Sequence, residues 1–189
     1  MRCYGKQEMV FSLRSLLKPR DDHATAHALY SETVLAARDP AFYLDWGIPD
    51  TVEGRFEVLC LRAFALLHRL KQAPEAADVA QAYFDIMFDD LDSNLREMGV
   101  GDMSVGKKVK KLAGGFYGRI KAYDAALDNT DDEAVLTETL AHFLFRDASP
   151  TPETLGCAAV FLRQDVEMLE SQTIVTLLTG NVTFRGVTP

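Results

Sequence analysis

The stretch Pro74-Glu75-Ala76-Ala77-Asp78-Val79-Ala80-Gln81-Ala82-Tyr83-Phe84-Asp85-Ile86-Met87-Phe88-Asp89-Asp90-Leu91-Asp92-Ser93-Asn94-Leu95-Arg96-Glu97-Met98 decides the fold class. Its apolar residues recur at three and four spacings, the repeat of a helical face, and nothing in it alternates as a half-buried strand would. Pro74 suits a first helical turn, where a missing N–H is no loss, and Gly99 follows as a stop. Ala77, Ala80, Phe84, Phe88, Leu91, Leu95 and Met98 project as one apolar stripe, with Asp78, Asp85, Asp89, Asp92 and Arg96 aligned on another side.

The same spacing runs through the chain on both sides of this helix. Asp21 is placed to cap a helix to Arg38, stopped by Asp39-Pro40, and Asp50 with Glu53 makes a capping-box-like start for a helix to Lys71. Ser104 is placed to cap a helix reaching Leu127. Thr130-Asp131-Asp132-Glu133 fits a capping box for a helix to Arg146, and Thr151-Pro152 opens a last long helix that Gly180 ends. The irregular stretch Pro40 to Asp50 carries Phe42, Tyr43, Trp46 and Ile48 as anchors and should pack down. The expectation is all-α: one compact domain of about six to seven helices over residues 21–189, preceded by a basic arm over residues 1–20.

Composition narrows the function classes. The 189-residue chain has a net charge of −8, the wrong sign for a general nucleic-acid binder, so DNA is not an expected partner. Arg62 and Arg69 interrupt the most apolar run, Val58 to Leu70, which excludes a spanning helix there. The charge is uneven: Arg2, Lys6, Arg14, Lys18 and Arg20 against Glu8 give the arm +4 and leave −12 for the rest. Met9, Leu13, Leu16 and Leu17 share a helical face in that arm, which either packs on the domain or touches an anionic membrane through residues 9–20. The arm has no continuous apolar core or small-residue cleavage site, so the expected location is cytoplasmic, with peripheral contact at the inner face of the cytoplasmic membrane as the extension of that idea.

Cys3, Cys60 and Cys157 are odd in number and far apart, which suits a reducing compartment, and Cys60 and Cys157 read as buried small apolar residues. His68 and His142, set among apolar neighbours, read as core or interface histidines. His23 and His27 share a helical face but lack a third nearby ligand, so no metal is expected there.

Two charged clusters remain. Asp85-x-x-x-Asp89 and Asp124-x-x-x-Asp128 resemble the paired motifs with which squalene and phytoene synthases hold a diphosphate through magnesium, giving an alternative reading as a prenyl diphosphate or quinone-binding helical protein or enzyme. The plainer alternatives are a solvated face and a basic partner. On the next helix Val105, Val109, Leu112, Phe116, Ile120, Tyr123 and Leu127 form the apolar stripe, and Lys107, Lys108, Lys110 and Lys111 make a basic cluster that would meet lipid headgroups, RNA phosphate, an acidic protein or the neighbouring aspartates. Gly114, Gly115 and Gly118 each cost a helix interior about 0.5–1 kcal/mol, so close approach by another helix or by a partner is implied.

The phrases Gly47-Ile48-Pro49-Asp50-Thr51-Val52-Glu53-Gly54-Arg55-Phe56-Glu57, Phe84-Asp85-Ile86-Met87-Phe88-Asp89-Asp90-Leu91-Asp92, Leu95-Arg96-Glu97-Met98-Gly99-Val100-Gly101-Asp102 and Phe116-Tyr117-Gly118-Arg119 together resemble the ubiquinol-cytochrome c chaperone family, over roughly residues 25–150. The resemblance implies an all-helical, non-enzymatic protein with no cofactor and no catalytic residue. Mitochondrial members of that family act early in assembly of the cytochrome bc1 complex, receiving newly made cytochrome b near the ribosomal exit together with a partner chaperone, and this compact chain resembles a bacterial-type member. Cytochrome b or another membrane-protein client is then the expected partner, with the ribosome and a partner chaperone as further ones. Met87, Met98 and Met103 would supply adaptable apolar surface. Resemblance and charge segregation coincide at Asp85, Asp89, Asp92 and Arg96 on one helix and Lys107, Lys108, Lys111, Tyr117 and Arg119 on the next, which is the expected partner-binding surface.

Overall fold

The computed structural model describes residues 20–129 and 133–187, and all regular structure among them is helical. The order is α1 (Arg20–Ala37), a short α2 (Ala41–Leu44), α3 (Val52–Lys71), a 3-10 turn (Pro74–Ala76) running into α4 (Ala77–Glu97), α5 (Asp102–Asp128), α6 (Glu133–Phe143), α7 (Pro152–Ser171) and α8 (Ile174–Leu178). The arm before Arg20, with Cys3, Met9, Leu13, Leu16 and Leu17, lies outside the described residues, as do positions 130–132 of the expected capping box and the side chain of Met103.

α3 organises the bundle. α1 and α5 each pack on both α3 and α4, so they flank that pair, and α7 covers another side of α3 with α6 beside it. The start of α3 is capped by Thr51, one residue later than expected: its extended backbone carries the hydroxyl over the first turn, where it accepts from the Gly54 N–H at 3.1 Å. Asp50 instead holds Arg55, Nε to Oδ1 at 2.5 Å and Nη2 to Oδ2 at 3.1 Å. Gly54 is required for packing, since a Cβ there would fall 2.0 Å from the Pro49 carbonyl oxygen, a backbone atom that cannot swing aside. Gly54→Ala should therefore cost about 1–3 kcal/mol or more through overpacking; an unchanged urea midpoint would show that the Pro49 turn yields freely.

α4 buries more than its expected stripe. Val79, Tyr83, Ile86, Met87 and Phe88 are buried, while Ala77 and Met98 are exposed. The reason is that α4 is packed from two sides. Tyr83 meets Tyr30 of α1 edge-on at 5.8 Å, while Phe84 and Phe88 meet Tyr117 and Phe116 of α5 at 5.1 and 5.9 Å. The expected stripe is the α5 side alone. Met87, read as adaptable surface, is fully buried core.

α5 shows the expected division, with Val105, Phe116 and Tyr123 buried and Lys107, Lys108, Lys110 and Lys111 exposed. Its N-cap is Gly101 without a side-chain bond, so Ser104 is not the cap. The anticipated last long helix is two helices. α7 begins as expected, with the Thr151 hydroxyl accepting from Thr154 N–H, but ends at Gln172, whose side-chain amide bonds both the N–H and the carbonyl of Thr183. Thr173 then caps α8, and Gly180, at φ +83°, turns the chain where an added Cβ would lie 3.0 Å from the Ala28 Cβ.

That turn sends the C-terminal segment back across the bundle. Arg62, in the middle of α3, is 1% exposed and bonds Asp165 of α7 at 2.8 Å and the Arg185 carbonyl at 2.9 Å. Asp165 in turn accepts from the Arg185 N–H at 3.0 Å. The guanidinium lies over the rings of Phe42, Phe161 and Phe184. Phe42 and Trp46 are buried against Phe161, so the 40–50 stretch does pack down, around α2. Cys60 is buried, whereas Cys157 is exposed on α7, contrary to expectation. His142 is exposed too, because α6 turns it away from the core.

Candidate functional site

The first turns of α3 and the last turns of α4 border the same space. Between them, flanked by the last turns of α1 and the first half of α5, lies an open groove of about 620 Å³. Its apolar surface comes from Val34, Phe56, Leu59, Leu91, Leu95 and Leu112, each half-buried. Half-exposed apolar side chains gathered from four helices are surface that the fold leaves uncovered.

The polar groups of the groove divide by what already holds them. Glu57 is 3% exposed, and the Arg119 guanidinium grips it in a fork, Nε to Oε2 at 2.6 Å and Nη2 to Oε1. Arg146 stands 3.6 Å from the same carboxylate. Burial alone would pull Arg119 below its usual pKa, but the Glu57 bonds outweigh it and raise it. Arg119 also donates to the Gly115 carbonyl at 2.9 Å, and a Cβ on Gly115 would sit 3.0 Å from that Nη1. One of the three odd glycines therefore lets a side chain of its own helix pass; Gly114 and Gly118 face open space. Asp90 accepts from the Tyr30 hydroxyl at 2.7 Å and from the Asn94 amide. Burial, with Asp90 adding to it, pushes the Tyr30 phenol far above its usual range.

The nine residues expected to bind a partner are split by the structure. Lys108, Lys111 and Arg119 line the groove, with Arg119 turned inward onto Glu57. Asp92 and Arg96 pair with each other at 2.5 Å, and Arg96 also holds Asp102, clamping the α4–α5 turn. Asp85 accepts from Gln81 and lies near Tyr117, which stacks on Phe84 away from the groove. Asp89 and Lys107 are exposed outside it. Residues unforeseen at the groove are Arg38, Arg55 and Arg146, each from a different part of the chain; Leu91, Leu95 and Leu112 had their signal in the apolar stripes.

The aspartate pairs do not meet as a magnesium site. Asp124 faces α3, where it lies 2.8 Å from His68 Nδ1 and accepts from Lys71 at 3.0 Å. Burial would raise its carboxyl, but those two partners hold it below the usual carboxylate value. Among the described residues no three His, Cys, Asp or Glu side chains converge as metal ligands, and no helix is long and apolar enough to cross a membrane.

Comparison with known proteins places this geometry. The Cbp3 homolog from Brucella abortus, a crystal structure, superposes with a TM-score of 0.78 at 36% identity, covering 88% of this chain and 92% of that one. Ubiquinol-cytochrome c reductase complex assembly factor 1 of Mus musculus is 25% identical over 159 residues, covering 83% of this chain and 53% of the relative; the Homo sapiens protein of the same name is 25% identical, with 52% of it covered. The chain thus spans about half the length of the curated relatives it matches. The family model described as ubiquinol-cytochrome C chaperone matches residues 44–184, so the likeness takes in α7 and α8, beyond where the sequence phrases stop, and begins after α1. With that match spanning most of the chain and the groove's α3, α4 and α5 walls, the chain belongs to the ubiquinol-cytochrome c chaperone family.

Proposed function

We propose that this protein is a non-enzymatic assembly chaperone of the cytochrome bc1 complex that holds newly made cytochrome b, or a similar membrane-protein client, in the groove between α3 and α4. The observation that carries the reading is the groove itself, an apolar floor drawn from four helices of the bundle. A membrane-protein segment waiting for its partners needs temporary apolar cover, and reversible cover calls for shallow, half-exposed side chains rather than a closed pocket. Family membership supports the bc1 connection. The surrounding charges would set orientation and encounter rate, and reversing their sign would set like charges against the client and cost affinity. Ribosome and partner-chaperone contacts belong to the same proposal and would use the exposed charges outside the groove.

The test is co-purification of cytochrome b with the tagged full chain from its own host. Lys108→Glu with Lys111→Glu should reduce the recovered cytochrome b about tenfold with helical circular dichroism unchanged. Asp89→Lys with Asp92→Lys examines the acidic ridge separately: weakened capture assigns it to the client surface, and unchanged capture removes it. Absence of cytochrome b and of every other membrane subunit of the bc1 complex from the wild-type preparation would overturn the proposal.

A further inference from the structure

The groove carries information about what fills it. Its α4 wall runs from Asp90 to Met98 and its α5 wall from Lys108 to Arg119, which at ~1.5 Å per residue is about 12–16 Å of helical wall on each side. Its carboxylates are engaged, Glu57 by Arg119 and Asp90 by Tyr30 and Asn94, leaving Glu53 at the mouth. Three of its cations are not: Arg38 after α1, and Lys108 and Lys111 on α5, pair with no carboxylate among the described residues. Because α1 and α5 flank the α3–α4 pair, these cations stand on opposite lips of the groove, in a chain whose net charge is −8.

The lips also continue the apolar floor outward. Val52 and Met98 both line the groove and are 56% and 51% exposed. A small amphiphile sunk between the helices would leave them bare, and its single headgroup would reach one lip. A helix laid along the groove would cover both side chains and offer a flank to each lip.

We infer that the groove receives an amphipathic helix with an apolar stripe at i, i+3 or i+4, and i+7, bordered on both sides by acidic residues. The stripe packs on Leu91, Leu95 and Leu112, and the carboxylates meet Arg38 across one flank and Lys108 and Lys111 across the other. This deepens the chaperone reading and rests on it for the protein that supplies the helix, cytochrome b. The attraction is of exposed charges, so it weakens with salt.

The experiment measures binding of the full chain to overlapping peptides of about five helical turns that cover the host's cytochrome b, by fluorescence anisotropy, beside vesicles of phosphatidylglycerol. Bound peptides should be amphipathic and net acidic, and affinity should fall about tenfold in Arg38→Glu, in Lys108→Glu with Lys111→Glu, and in Met98→Glu, each at an exposed position that keeps the fold. Binding that follows apolar content regardless of charge, that favours basic flanks, or that survives all three substitutions would overturn the inference. So would capture of vesicles through these residues with no peptide bound. If no peptide binds while cytochrome b still co-purifies, the acidic-helix inference fails and the chaperone reading stands; if acidic peptides bind selectively while cytochrome b never co-purifies, the groove chemistry stands and the client assignment fails.

Discussion

Asp165→Ala should lower folding stability by about 3–5 kcal/mol, the cost of leaving a buried charge without its partner. Arg62 and Asp165 are each 1% exposed, so neither can turn to water when the other is removed. Burial already pulls Arg62 below its ordinary pKa, with Asp165 countering. The three aromatic rings around the guanidinium and the Arg185 carbonyl would remain, but none carries a full negative charge. The same substitution removes the acceptor of the Arg185 N–H, so the C-terminal segment should become cleavable by protease near that residue before the bundle unfolds. Urea denaturation and limited proteolysis read the two effects. Arg62→Met with Asp165→Leu should recover most of the loss, because it removes both charges together; a double variant as unstable as the single one would assign the cost to packing instead.

Arg119→Met is expected to cost about 3 kcal/mol for the same physical reason, with Glu57 as the stranded group. Arg146, 3.6 Å away and 47% exposed, is too loosely held to replace a bidentate fork. Adding Glu57→Gln should restore much of the stability, giving a coupling energy well outside additivity in a double-mutant cycle. Unlike the first pair, this one stands in the groove wall. Arg119 lies over Phe56 and Phe143 at 5.6 and 5.1 Å, so its loss should also loosen the floor on which a client rests. An Arg119→Met protein of wild-type midpoint would mean that Glu57 finds water through the groove.

Much of the helical framework was legible because it depends on spacing and caps that lie within a few residues of each other. Thr151-Pro152 and the stripe of α5 are of that kind. What escaped depends on residues distant in the chain. Nothing local in Val58 to Leu70 says that Arg62 has an aspartate 103 positions away, so it reads only as an interruption of an apolar run. The break at Gln172 is made by Thr183, which a reading of helical periodicity does not weigh. The two-sided burial of α4 follows from α1, not from α4's own pattern. For the site, charge clustering along single helices drew attention to Asp85, Asp89 and Lys107, while the groove gathers Arg38, Arg55 and Arg146 from separate parts of the chain that no run of sequence joins. The basic pair Lys108 and Lys111 was found because cluster and groove happen to share a helix turn.

The returning C-terminal segment also sets a timetable for the nascent chain. The Val187 N–H reaches Asp39 at 3.2 Å, and Arg62 acquires its neutralising carboxylate only when Asp165 has been made. Contacts spanning 148 and 103 positions are non-local, and pairings of that kind slow folding. A chain that ends before Asp165 leaves Arg62, at the centre of α3, to be buried without that carboxylate. A product stopped before Asp165 should therefore be unstable and be degraded rather than accumulate as a half-built bundle.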